Sequence, residues 1–181
     1  IYHEHFSYLS LTAMETVFEK NGLQIFDVDE HSTHGGSLRL FAQRTDTGSH
    51  AITEQLVELR KREIDSGMNS SDFYKGFQEK ADIVKDDLLN FLIKAKKDGK
   101  KVVAYGAAAK GNTLLNYAGV RPDLISYVVD KNPNKQDKYM PGSRIAIKNE
   151  EYLRNDKPDY VMILPWNLKD EVISQLRYIK E

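Results

Sequence analysis

The apolar positions change period several times along the chain, and each change marks an element. Leu11, Met14, Val17 and Phe18 recur at helical spacing, Thr12 and Glu15 resemble a capping box, and Gly22 stops the helix. Leu23 to Val28 predicts a strand. After a turn over His31 to Gly36, Leu38, Leu40 and Ala42 alternate with Ser37, Arg39 and Phe41 in a second strand. Thr45 to His50 is polar and contains glycine, as a linker does. Ile52, Leu56, Leu59 and Ile64 mark a helix interrupted between Ser66 and Ser71. Phe73, Phe77, Ala81, Val84, Leu88, Phe91, Leu92 and Ala95 then keep one face of a longer helix, which Gly99 ends.

The second half of the chain has a different rhythm. Val102 to Tyr105 is short, apolar and rich in β-branched residues, the pattern of a strand buried on both faces. It breaks at Gly106, and Leu114, Leu115 and Ala118 return at helical spacing. Ile125 to Val129 is the next apolar run, Arg144 to Ile147 a short strand, and Glu150 to Leu153 a short helix. Tyr160 to Leu164 is a parallel strand broken by Pro165, and Val172, Ile173, Leu176 and Ile179 lie on a closing helix. The order β-α-β-(β)-α-β-α predicts an α/β, Rossmann-like doubly wound parallel sheet, preceded by a helix and a β-hairpin.

The stretch from Lys101 to Tyr117 carries the clearest chemistry. A strand, a turn of small residues and a helix gather backbone N–H groups around one point, where the helix dipole favours an anion such as a phosphate. Gly106, Ala108 and Gly111 match the spacing of the dinucleotide fingerprint, with Ala108 in place of the middle glycine. Asp130 lies near where a ribose-binding acid is expected. Asn112 and Thr113 follow the turn instead of Lys-Ser/Thr, which argues against a P-loop. A tight strand-to-helix connection with no ligand is the competing reading. Lys110 at the mouth of the turn shifts the balance towards an anion.

Composition narrows the class. The 181 residues suit one domain, or one plus part of another. A net charge of −1 at pH 7 argues against general nucleic-acid binding, which needs a clustered basic surface. The absence of cysteine excludes a disulfide framework and a thiolate metal site, and fits a cytoplasmic protein. No apolar run reaches membrane-spanning length and no signal peptide is visible. The chain opens at Ile1 on a motif-dense stretch and closes at Glu181 within a helical pattern, so we expect a fragment of a longer protein.

That opening stretch packs Tyr2, His3, Glu4, His5 and Tyr8 into one short segment. On an extended backbone His3 and His5 project to one side, with Glu4 opposite. Three readings stay open: a structural histidine pair, a metal site completed by His31, His34 or a distant carboxylate, and acid–base chemistry near neutral pH with Tyr2 or Tyr8 donating to an oxyanion. For His34 to Ser37, a hairpin turn using the backbone freedom of glycine is the plainest reading.

Four groups of residues occur in one order: Tyr2 to Leu9, His34 to Arg39, Tyr105 to Asn112 with Leu114 to Tyr117, and Pro165 to Asn167. In this the chain resembles the C-terminal part of the bacterial sugar C-methyltransferases, which methylate nucleotide-diphosphate-linked deoxysugars. The resemblance covers nearly the whole sequence. It implies that residues 1–45 are the helix and β-hairpin that end an S-adenosylmethionine domain. Residues 46–100 would be a helical connection and residues 101–181 a Rossmann-like nucleotide-sugar domain, with 46–181 forming one domain. A helix followed by an antiparallel hairpin is also how a class I methyltransferase sheet finishes.

The resemblance also implies a division of roles. S-adenosylmethionine would be bound by an upstream domain absent from this sequence, and zinc would belong only to a cysteine-bearing N-terminal region. The substrate would be a 4-keto deoxysugar on a nucleoside diphosphate, methylated at carbon 3 through an enolate. His5 would be the base, Glu4 its partner or alternate, and Tyr2 the oxyanion donor. Gly106, Lys110, Gly111 and Asn112 would meet the nucleotide sugar, with His34, Arg39 and Asp130 as further binding residues. The competing function is a nucleotide- or NAD-binding module without chemistry of its own, supported by Asp130 and the glycine spacing. A purely structural domain is the third reading.

Overall fold

The computed structural model describes residues 5–180, which form two compact units, Phe6–Gln78 and Glu79 onward. The first unit opens with α1 (Leu11–Lys20). Ser10 is its N-cap and accepts the Ala13 N–H at 3.1 Å, so the cap lies two residues before the expected Thr12. Thr12 instead donates from Oγ1 to Glu63, and Glu15 forms an ion pair with Arg60 at 2.6 Å. The antiparallel hairpin joins β1 (Leu23–His31) to β2 (Ser37–Arg44) through a short 3₁₀ turn. β1 runs past Val28 to His31 because pairing with β2 continues through the charged Asp29 and Glu30. Helix α2 (Glu54–Asp65) packs on β1 and α1, and its Leu56 and Leu59 join Leu11, Ile25 and Val28 in one core.

The buried carboxylate of Glu63 ties that unit together. Its oxygens accept the N–H groups of Leu11 (2.7 Å) and Thr12 (2.8 Å) and the Thr12 hydroxyl (2.6 Å). A negative charge at the start of α1 satisfies donors that a helix leaves unpaired and complements its dipole.

The long helix expected from Phe73 to Ala95 is divided. Helix α3 (Ser71–Tyr74) stops at Lys75 and Gly76, where a positive φ of 76° breaks the helix, and α4 (Phe77–Lys97) follows. Only Leu92 and Ala95 of its apolar stripe are buried, while Phe77, Val84 and Phe91 stay exposed.

The second unit is the expected doubly wound sheet. Strands β3 (Val102–Tyr105), β4 (Val128–Val129), β5 (Ile147–Lys148) and β6 (Tyr160–Ile163) lie in the order β5-β4-β3-β6, all parallel. Helix α5 (Ala109–Tyr117) connects β3 to β4, α6 (Glu150–Asp156) precedes β6, and α7 (Lys169–Gln175) follows it. Val102 and Ala104 pack with residues of α4 and α5 on one face of the sheet. Val103 and Tyr105 pack with residues of α6 and α7 on the other. Every residue of β3 is therefore buried, as its uninterrupted apolar run predicted. In the closing helix Val172 and Leu176 are buried, but Ile173 is exposed.

Candidate functional site

The chain leaves β3 at the sheet's carboxyl edge, beside β6, where the winding direction reverses. Open α/β sheets place ligands at such a switch point. Here much of the room is taken by the chain itself. A Cβ on Gly106 (φ 86°) would lie 2.6 Å from Pro165 Cδ, and one on Gly111 would lie 2.5 Å from Leu164 Cβ. The two glycines thus let the turn and α5 close onto the exit of β6. Lys110 reaches across the same crevice, donating to Asn167 Oδ1 at 2.9 Å with its ammonium 4.7 Å from the centre of the Trp166 ring.

On the other side of the turn a cleft of about 380 Å³ remains open. Ala107, Ala108 and Ala109 bring the turn and the first residue of α5 to it, and Asn112 stands one turn along the helix. The loop after β4 supplies Lys135 and Lys138, and Tyr139, Met140 and Pro141 give the cleft an apolar wall. The first helical bond runs from Asn112 N–H to Ala108 O, so the N–H groups at the start of α5 open toward the turn. A helix N-terminus and two ammonium groups beside an apolar wall suit a phosphate ester with a flat or apolar remainder.

Asp130 holds the floor of this site. Its Oδ2 accepts the Ala107 N–H at 2.7 Å and its Oδ1 accepts the Asn132 N–H at 2.8 Å. Lys135 Nζ donates to Ala107 O at 2.9 Å and lies 3.4 Å from Asp130 Oδ2. Both carboxylate oxygens are engaged within the chain, and 13% of the side chain is exposed. Lys138, in contrast, is exposed and forms no ion pair among the described residues.

Beneath the turn, Tyr105 packs into the core on the α6 and α7 face, with its hydroxyl 3.3 Å from Glu150 Oε2 and 3.2 Å from Gln175 Oε1. Burial, then the neighbouring Glu150 carboxylate, pushes its phenol above the ordinary range, so it stays protonated at neutral pH.

The remaining sequence-derived candidates are dispersed. Tyr2, His3 and Glu4 lie outside the described residues, and His5 is exposed. His34 sits in the hairpin's 3₁₀ turn, and Arg39 on β2 faces Asp29 of β1 at 3.9 Å. Gly106, Lys110, Gly111, Asn112 and Asp130 are gathered around the turn. The polar loop of residues 131–138 is itself legible in the sequence as a stretch at a strand's carboxyl end, but that Asn134, Lys135 and Lys138 of it, and Tyr139 beyond it, line the cleft is decided only by how the loop folds. The lysine-rich loop at a strand's carboxyl end was the available signal. Among the described residues no three His, Asp or Glu side chains cluster in a way that could hold a metal ion, and no helix is long and apolar enough to cross a membrane.

Comparison with known proteins identifies the family. Residues 32–181 match the family described as the C-methyltransferase C-terminal domain. The C-methyltransferase NovU of Streptomyces niveus is 35% identical over 174 residues, covering 96% of this chain and 41% of the relative. The chain thus spans well under half the length of that curated relative. A match across most of the sequence and 35% identity over nearly all of it establish that the chain belongs to the C-methyltransferase C-terminal domain family.

Proposed function

We propose that this chain is the C-terminal part of an S-adenosylmethionine-dependent C-methyltransferase acting on a nucleoside-diphosphate-linked 4-keto deoxysugar. The observation that carries the reading is the open cleft at the start of α5, with Lys135 and Lys138 on its rim, in a chain of the C-methyltransferase family. The diphosphate would bind at Ala107 to Asn112, with Lys138 and Lys110 as charge partners. Residues 1–45 would finish a methyltransferase domain and residues 101–181 form the nucleotide-sugar domain. The location would be cytoplasmic.

The reaction asks for three things. A C–H beside a ketone loses its proton only if the enolate is stabilised, which needs a base and an oxyanion donor. His5 would take the proton from carbon 3, Glu4 would orient or back up the imidazole, and Tyr2 would donate to the developing oxyanion. The sulfonium cofactor supplies an electrophilic methyl group when bound, and the residues that bind it would lie in an upstream domain of the longer protein. Zinc would belong to a cysteine-bearing part of the longer protein, because this chain has no cysteine and no three His, Asp or Glu side chains cluster among its described residues. The NAD-binding alternative draws no support from Asp130, whose oxygens already hold the turn.

The test is solvent deuterium exchange at carbon 3 of the keto-sugar by the full-length enzyme without methyl donor. His5→Ala should abolish exchange and leave nucleotide-sugar affinity nearly intact, a rate loss of ~10²–10⁴. Exchange at the parental rate in His5→Ala, with loss in His3→Ala or Glu4→Gln, would reassign the base.

A further inference from the structure

The stretch Leu114 to Tyr117 has no part in the reading above, yet its Asn116 organises one wall of the cleft beside α5. Asn116 Nδ2 donates to Asn112 O within the helix and to Pro141 O in the loop beyond β4, both at 2.9 Å. A Cβ on Gly142 (φ 76°) would collide with Asn116 Oδ1, so the loop comes this close to the helix only because that position is glycine. The backbone ties the wall down on its other side. Met140 N–H donates to Ile145 O at 2.8 Å, Tyr139 bridges to Ala146, and the Met140 side chain is buried. On this fixed wall Tyr139 is 67% exposed, and it lines the same cleft as Pro141, Lys138 and the turn residues Ala107 to Ala109.

A tyrosine ring on a fixed backbone offers a flat apolar face at low entropic cost, because only two side-chain torsions remain to be ordered. Nucleobases stack on such rings whatever their hydrogen-bonding edge, since every base has a π face. The cleft's volume of about 380 Å³ falls within the range of small-molecule sites, about 300–1,000 Å³. One end of it, at the start of α5, attracts phosphate, and the other end is the exposed ring. We propose that the wall of Tyr139 and Pro141 is the nucleobase subsite of this cleft. The base stacks on the Tyr139 ring while the diphosphate lies at the start of α5. The identity of the ligand rests on the substrate reading above, and every group invoked belongs to the second unit. A saturated sugar ring, the rival occupant of the wall, has no π face to set against the tyrosine.

The test titrates this chain with uridine, thymidine, adenosine and guanosine diphosphates by calorimetry and follows the tightest of them by NMR. The base protons should show nuclear Overhauser contacts to the Tyr139 ring and move upfield in its ring current. Tyr139→Ala should lose roughly 5- to 150-fold in affinity, the range for one base–aromatic stack, and Tyr139→Phe should keep most of it. The contacts are read in the parent and so do not depend on any variant folding. Parental affinity in Tyr139→Ala, or ribose protons against the Tyr139 ring in place of base protons, overturns the subsite and leaves the substrate reading standing. Failure of all four diphosphates to bind the parent overturns the substrate reading, and the subsite with it.

Discussion

Asp130 Oδ2 accepts the backbone N–H of Ala107 at 2.7 Å, so the residue after β4 fixes the turn that leaves β3. The same carboxylate is within 3.4 Å of Lys135, which in turn donates to Ala107 O. Asp130→Ala leaves a part-buried N–H without its acceptor and should cost about 1–3 kcal/mol. Urea denaturation without ligand measures the loss, and amide exchange at Ala107 locates it. An unchanged midpoint and unchanged protection at Ala107 would mean that the carboxylate is not a clamp.

Gly111 presents a contest between two effects of opposite sign. Replacing glycine by alanine inside a helix gains up to about 1 kcal/mol of propensity. Here the new Cβ would sit 2.5 Å from Leu164 Cβ, and overpacking costs about 1–3 kcal/mol. Gly111→Ala should therefore destabilise the fold. In a double-mutant cycle with Leu164→Gly the combined cost should fall short of the sum by about 0.5–3 kcal/mol, because the second change removes the Cβ at the centre of the clash. Simple additivity would place the strain elsewhere.

What the sequence disclosed follows from how local each cause is. Val102 to Tyr105 was legible as a central strand because both its faces are buried and no polar position interrupts it. The start of α1 was misplaced because Thr12 looks like a cap, whereas Ser10 caps locally and Glu63, 52 residues along the chain from Leu11, caps from another helix. The stripe from Phe73 to Ala95 carried the right period but did not reveal that Gly76 divides it or that Phe77 and Val84 stay exposed. Around the turn, Gly106, Lys110 and Asp130 were visible as a motif. Lys138 was not, since it reaches the cleft through a loop with Asp137 at a φ of 60° and a bridge between Tyr139 and Ala146.

Glu63 allows a test confined to the first unit. Its carboxylate accepts three hydrogen bonds at the start of α1, and Glu63→Gln keeps the shape while removing the charge and part of the accepting capacity. A loss of about 1.5–3 kcal/mol is expected, the range for bonds to a charged acceptor. Thermal unfolding followed through amide signals of α1 and α2 measures it. Equal stability of Glu63→Gln and the parent would reduce the cap to shape complementarity alone.

At the amino end of β3, pH should reveal a coupled trio. Lys101, then the Tyr127 hydroxyl, hold the Asp156 carboxyl below its usual range, at 2.6 and 2.7 Å. Because the folded pKa is depressed, this stabilisation is complete above the unfolded value near ~4 and is lost as pH falls through the folded pKa. The parent should exceed Asp156→Asn in stability at pH 7, and the gap should close on acidification. Burial, then Asp156, raises the Tyr127 phenol, so its contribution is present below the unfolded pKa near ~10 and is lost only as pH rises through the higher folded value. Denaturation curves across both limbs check these signs, and a gap that widens in acid would contradict them.

Lys138 and Lys110 make the sharpest comparison at the candidate anion site, because they differ in what already holds them. Lys110 donates to Asn167 and lies over Trp166, so drawing it to a phosphate must first weaken those contacts. Lys138 lines the open cleft, is exposed, and forms no ion pair among the described residues, so its charge is available at no such cost. A charge-assisted hydrogen bond to phosphate contributes about 1.5–3 kcal/mol, or roughly 10- to 150-fold in affinity. Lys138→Ala should lose nucleoside diphosphate affinity within that range, and Lys110→Ala should lose less. The loss should also shrink at high salt, as expected for a partly exposed pair. Calorimetric titration at two ionic strengths reads all three quantities. Should Lys110→Ala be the weaker binder and Lys138→Ala match the parent, the anion lies in the crevice beside β6, and the assignment of the open cleft falls.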